Sequence, residues 1–198
     1  MLAGCRAYVV ARSDQQTRSL SNLARAVGFS YVASVLGDDA VSLDGLENTV
    51  VYFFMHYGLG DEVMTSVLGK LRSAPSDAIR YAPVLLVIDD CPFETMLKYV
   101  RFGFDDIITL PEKRTILADR LVGQLNTDHV YVETDDYLGP DRRRLELAGA
   151  PERRDQMPSM RLVIHRSIEQ GVRVVRREVG SPARRGAAPG RVRVAGAA

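Results

Sequence analysis

The feature that most narrows what this chain can fold into is an alternation, repeated five times within residues 1–126, of a short apolar run and an amphipathic stretch. AYVV (7–10), YVASVL (31–36), TVVYFFMHYG (49–58), PVLLVI (83–88) and DIIT (106–109) are bounded by polar residues and rich in β-branched and aromatic ones, so each predicts a strand. The third and fourth are almost wholly apolar, the pattern of strands covered on both faces. Helical stretches lie between them. Leu20, Leu23, Ala24 and Val27 share one face of a helix that Ser13 or Asp14 can cap and Gly28 can end. Val63, Val67, Leu68 and Leu71 repeat that stripe. Pro92 and Gly103 bracket a further helix, and EKRTILADRLVGQL follows the fifth strand. DDAVSLDGLEN, with Gly45 inside it, predicts a short, weak helix.

Strands alternating with helices imply a parallel sheet with helices on both faces. Right-handed crossovers leave few topologies, among them the doubly wound five-stranded flavodoxin-like (β/α)5 order, which is the expected fold class. At 198 residues the chain has room for one such domain, expected over 1–126, and an extension over 127–198. No apolar run reaches the roughly 18–20 residues that span a bilayer. Arg12 and Asp14 interrupt the opening apolar stretch, so no signal peptide is read and a cytoplasmic location is expected. Cys5 and Cys91 have neither metal-ligand nor redox spacing. The net charge of +1 conceals a split of −7 over residues 1–140 and +8 over 141–198, where fourteen arginines, and no lysine, face six acids. An acidic globule with a basic tail follows.

Gly103-Phe104-Asp105-Asp106-Ile107-Ile108-Thr109-Leu110-Pro111 resembles the fifth-strand region of a response-regulator receiver (CheY-like) domain. Tyr8-Val9-Val10, the helix with Arg18 and Leu20, and Gly28-Phe29 match that family's first unit, and the resemblance spans residues 5–126. It implies five chemical groups: two magnesium-binding acids after the first strand, a phosphoacceptor aspartate ending the third, a hydroxyl after the fourth, and a lysine after the fifth. A phosphoryl group in transit carries spread negative charge that cations must neutralise. Laid on this pattern, the chain has Ala11 and Arg12 for the acids, Phe54 (with Met55 beside it) for the phosphoacceptor, Ile88 for the hydroxyl and Leu110 for the lysine. Asp14 and His56 lie nearby without rebuilding the set. A degenerate pseudo-receiver is therefore expected, with no metal, no cofactor, no aspartyl phosphate and no enzymatic activity.

His56 reads either as an alternative phosphoacceptor or pH-sensitive group, or as a loop histidine. Asp89 and Asp90, with Asp14, read either as a remnant acidic site or, more simply, as caps for the Pro92 helix. Lys98, Arg101, Asp105, Asp106 and Arg120 fall on the segment that receivers use to form a two-fold dimer, and also suit a solvated face. The expected partners are proteins: a second copy, a histidine kinase or a response regulator. In the extension, HVYVETDDYLGPDRRR begins as a strand and predicts a turn at Gly139-Pro140; MRLVIHRS and GVRVVRREV suggest a short hairpin; GSPARRGAAPGRVRVAGAA predicts disorder. Tyr137 to Arg143 also resembles an extension of bacterial signalling proteins. Arg142, Arg143 and Arg144 are candidate tail contacts to nucleic acid or anionic lipid. Against this, no helix-turn-helix pattern occurs, and the only tail aromatics, Tyr131 and Tyr137, stand at its start. The function expected from the residues is that of a non-phosphorylatable, receiver-like signalling protein acting through protein–protein interaction, with a nucleic-acid-binding regulator as the alternative.

Overall fold

A computed structural model of the chain describes residues 1–35, 45–46, 48–89, 91–141 and 159–180. Five strands, β1 (Arg6–Val10), β2 (Tyr31–Ser34), β3 (Val51–His56), β4 (Val84–Asp89) and β5 (Asp106–Leu110), form a parallel sheet in the order β2-β1-β3-β4-β5. This is the flavodoxin-like order, one of the few topologies that the alternation left open. Its helices are α1 (Asp14–Ala26), α2 (Asp61–Arg72), α4 (Phe93–Phe102) and α5 (Arg114–Val122), with a four-residue α3 (Asp77–Arg80) that the sequence did not announce. The weak helix expected over 38–48 lies mostly outside the described residues.

Strand periodicity divides the core. Tyr8, Val10, Phe53, Met55, Leu86 and Ile88 face one way and pack with Met64, Leu68 and Leu71 of α2 and Tyr99 of α4. Ala7, Val9, Tyr52, Phe54, Leu85 and Val87 face the other way and meet Leu20 and Ala24 of α1 and Leu117 and Leu121 of α5. Both faces of β3 and β4 are buried, which is why their sequences show no polar alternation. Helix ends follow local chemistry. Ser13 and Gln16 form a capping box at the start of α1, satisfying two backbone donors that the helix itself leaves unpaired. Gly103 ends α4 in the left-handed region (φ +100°).

The extension holds a second sheet: β6 (Asp128–Thr134), β7 (Tyr137–Pro140), β8 (Ser159–Ser167) and β9 (Gly171–Gly180), antiparallel in the order β7-β6-β8-β9. The hairpin suggested by sequence is β8–β9, but it joins β6 and β7 rather than standing alone. The turn is not at Gly139-Pro140. Thr134 pairs with Tyr137, so Asp135 and Asp136 make the bend and residues 137–140 continue as strand. Gly139 serves close packing instead: a Cβ there would lie 2.6 Å from the Tyr137 hydroxyl oxygen and 3.4 Å from Gly103 Cα. The tail after 180, expected to be disordered, and Arg142, Arg143 and Arg144 lie outside the described residues. Among the described residues no helix is long and apolar enough to cross a membrane.

This second sheet covers the amino end of the parallel strands. Tyr137 lies on Gly103, Ile168 on Gly4, and Gly171 against the Asn48 backbone. The Asn126 N–H donates to the Arg166 carbonyl at 2.7 Å. The carboxyl end of the parallel strands, where ligands bind in such folds, faces the opposite way.

Candidate functional site

At the carboxyl edge the parallel strands end at Val10, His56, Asp89 and Leu110. Ala11 is half-buried and packs with the α1/α5 layer, while Arg12 is exposed. Phe54 is wholly buried two residues before the end of β3, its ring edge-on to Phe29 with centroids 5.7 Å apart. The strand-end position itself therefore belongs to His56. Ile88 is buried in the α2/α4 layer, and Leu110 packs into the α1/α5 layer ahead of a cis peptide bond to Pro111. His56 Nδ1 accepts the Gly58 N–H at 3.0 Å, and its ring stacks on Tyr57. Burial pulls the His56 pKa below its ordinary value; nearby Asp89 opposes this without cancelling it.

Asp89 does not cap the Pro92 helix. That helix starts at Pro92 with no side-chain cap, and Asp89 instead accepts the Tyr57 hydroxyl at 2.8 Å. Asp89 is the last residue of β4, and its carboxylate is taken up by the Tyr57 hydroxyl rather than by the helix start. Asp90 lies outside the described residues, and Asp14 is exposed in the first turn of α1. Among the described residues no three His, Cys, Asp or Glu side chains come together as a metal site. The edge thus offers a carboxylate occupied by a phenol and an imidazole nitrogen occupied by a backbone N–H, beside aliphatic and aromatic walls. Magnesium wants several oxygens in octahedral array, a demand this donor set does not fit.

The chemistry-bearing residues gather at the other end. Asp105, on the residue before β5, was expected on an interaction surface; its side chain is 4% exposed and faces inward. The physical reason is the company it keeps. Its Oδ2 accepts from Arg72 Nη2 at 2.6 Å and from the Val84 N–H at 2.8 Å. Its Oδ1 accepts from Arg166 Nη2 at 2.9 Å and from the Tyr131 hydroxyl. Arg166 is wholly buried, and its other donors reach the Tyr81 carbonyl (3.0 Å), Gln124 Oε1 (2.7 Å) and the Tyr131 hydroxyl oxygen (2.6 Å). Arg72 also donates to the carbonyls of Ala82 and Arg80. The Tyr131 ring lies 5.4 Å from the Arg72 guanidinium and 5.6 Å from that of Arg166, within cation–π range.

One carboxylate is thus held between two guanidiniums in a water-excluded site. Burial alone would raise the Asp105 pKa; Arg72, Arg166, the Tyr131 hydroxyl and the Val84 N–H outweigh it and bring the value to about 2. Burial drives Tyr131 upward, so the phenol stays a neutral donor. Burial pulls against the charge of both arginines, but Tyr131 and Asp105 more than offset it. The cluster is permanently charged at neutral pH. Sequence reasoning missed Arg72, Tyr131 and Arg166. For Arg166 a signal existed: Leu162, Ile164 and Arg166 share one strand parity, and the first two are core residues. An arginine in that row needs a buried acid.

Of the remaining charged residues of the expected interaction face, Lys98, Asp106 and Arg120 are engaged within the chain. Arg120 donates to Asp106 (3.1 Å from Nε) and to the Ile107 carbonyl (2.9 Å). Lys98 pairs with Asp61 at the start of α2 and lies over the Tyr99 and Phe102 rings. Arg101 is exposed.

The strand order and two-layer helix packing define a doubly wound α/β protein of the CheY-like, flavodoxin-like class. No family model and no curated protein matches the chain. Solved structures align with part of the chain. The receiver domain of a signal transduction histidine kinase from Syntrophus aciditrophicus is 21% identical, covering 59–62% of this chain as do the others, here 62% against 92% of its own, with a TM-score of 0.43. A pilus assembly-related protein from Burkholderia pseudomallei is 20% identical over 61% of this chain and 89% of its own (TM-score 0.48). A Vibrio cholerae chemotaxis protein is 13% identical over 59% and 95% (TM-score 0.46).

Proposed function

We propose that this chain is a receiver-fold signalling protein that acts by binding other proteins and does not accept a phosphoryl group. One observation carries the reading. Where phosphoryl transfer needs acids, a hydroxyl and a cation, the strands present Ala11 and the exposed Arg12, the core residues Phe54 and Ile88 with His56 ending β3 and holding the Gly58 N–H, and the packed Leu110. Core aromatic and aliphatic side chains have no lone pairs for magnesium and no charge for phosphoryl oxygens. On this reading the protein is not an enzyme, needs no cofactor and works in the cytoplasm. Its partners are a second copy, a histidine kinase or a response regulator. Lys98, Arg101, Asp106 and Arg120 remain as a mixed-charge contact face, without Asp105.

Incubation with acetyl phosphate and magnesium, followed by intact-mass measurement, tests this. The expected mass is unchanged. A hydroxylamine-labile phosphoryl adduct would overturn the reading.

One observation favours nucleic-acid binding as a second reading: β9 exposes Arg173, Arg176 and Arg177. Phosphate contacts of this kind weaken steeply with salt. Arg173→Glu with Arg177→Glu should then abolish low-salt retention on DNA; retention equal to the parent chain removes this reading.

A further inference from the structure

We propose that the C-terminal antiparallel sheet is a built-in clamp on the amino edge of the parallel sheet, and that the two sheets unfold only together. Three independent features support this. The first is charge. Asp105 belongs to the parallel half, whereas Arg166 and Tyr131, which both donate to its Oδ1, belong to the extension. Lifting the extension away strips Asp105 of both of these donors. It also leaves Arg166 without its only acidic partner in the cluster and without the Tyr81 and Gln124 acceptors. Burying a charge is tolerated only where it is paired and hydrogen-bonded, so each half carries a defect that only the other half repairs.

The second feature is shape. At Gly4, Gly103 and Gly171 the two halves approach so closely that a Cβ would sit 2.9, 3.0 and 2.7 Å from Ile168, Tyr137 and Asn48 respectively. Contacts of that closeness at three separated points describe a fitted surface, not an arm resting on it. The third is shared core. Ile168 and Val172 pack into the α1/α5 layer, while Tyr81 of the parallel half is buried with Tyr131, Leu162 and Ile164 beneath the second sheet. Each of these two clusters draws residues from both halves.

A receiver-type sheet in this chain is therefore not a free-standing domain. A partner that grips either sheet acts on the stability of both, and opening of the extension is not a low-energy switch.

Hydrogen exchange with mass-spectrometric readout on the full chain tests the clamp. In the parent protein the slowest amides of β3 and β4 and those of β6 and β8 should report the same opening equilibrium and respond alike to urea. Arg166→Met should raise the open population in both sheets together, by about a hundredfold to several thousandfold. The proposal fails if β6 and β8 exchange through an opening of their own while β3 and β4 stay protected, in the parent or in the variant. The parent measurement decides alone if Arg166→Met does not fold, and Tyr131→Phe, which removes a hydroxyl and keeps the ring, gives a milder variant with the same two-sheet expectation.

Discussion

The two ends of the parallel sheet present opposite solutions to the placing of charge. At the carboxyl edge, Phe54 and Ile88 are core residues, and Asp89 and His56 are partly or largely in contact with solvent, each making a local bond. At the amino edge, Arg72 of α2, Tyr131 of β6, Arg166 of β8 and Asp105, just before β5, are buried and bonded to one another. Strong polar coupling has its structural effect where water is absent and charged groups find partners. The end of the fold that hosts ligands in related architectures is the plain one here, and the end that is usually structural carries the charged cluster. The difference teaches that a polar cluster locates what a chain must hold together, which need not be where it binds a ligand.

Substitutions separate the two ends sharply. The largest effect expected is from Arg166→Met, which removes one of the two cations described beside Asp105: a loss of about 3–5 kcal/mol in urea denaturation followed by circular dichroism. Arg12→Met at the other end should leave the midpoint unchanged, and equal effects would break the comparison. Tyr131→Phe comes next, at about 1.5–3 kcal/mol, because a donor to a buried carboxylate is lost while ring packing remains.

Acid gives the third test. Asp105 has its folded pKa depressed to about 2, against an ordinary 3.8. Its contribution is therefore complete above the unfolded value and is lost as pH falls through the folded one. Stability should drop by about 2 kcal/mol between pH 4 and pH 2 from this group. Asp105→Asn should flatten that part of the urea-midpoint profile, and a profile unchanged by the substitution would show that other carboxylates carry the acid response.

The smallest effects belong to the carboxyl edge. Asp89→Asn should leave the unfolding midpoint in place, since its carboxylate is exposed and has one phenol partner. If the proposed function holds, Leu110→Lys, which places a cation where the receiver pattern has a lysine, should yield no phosphoryl adduct, since Ala11 and Arg12 stand where that pattern has acids. His56 should titrate below 6.5 when followed by NMR, in keeping with its partial burial. A value above 6.5 would mean that Asp89 dominates the edge.

Much of the parallel sheet was legible because periodicity reports burial directly. The apolar runs at 49–58 and 83–88 could be satisfied only by strands covered on both faces, and β3 and β4 are such strands. The second sheet was half legible: the alternation in MRLVIHRS and GVRVVRREV showed strands, but nothing in either segment told of pairing with β6. Gly139-Pro140 misled because those residues signal a turn locally, whereas Gly139 is needed for its missing side chain beneath Tyr137. Asp105 misled for a related reason. An acidic pair before a strand looks solvated, and Asp106 does meet Arg120 near the surface, but its neighbour points the other way.

The sequence by itself determined the alternating α/β order and the doubly covered central strands, because each depends on residue type and near-neighbour spacing. Tertiary structure alone decided that Arg72, Asp105, Tyr131 and Arg166 become one buried cluster and that the extension closes over the amino edge. Those residues are 26 to 61 positions from Asp105 along the chain or farther from one another. No local pattern encodes which distant acid an inward-facing arginine will meet; that choice is made when two sheets exclude water between them.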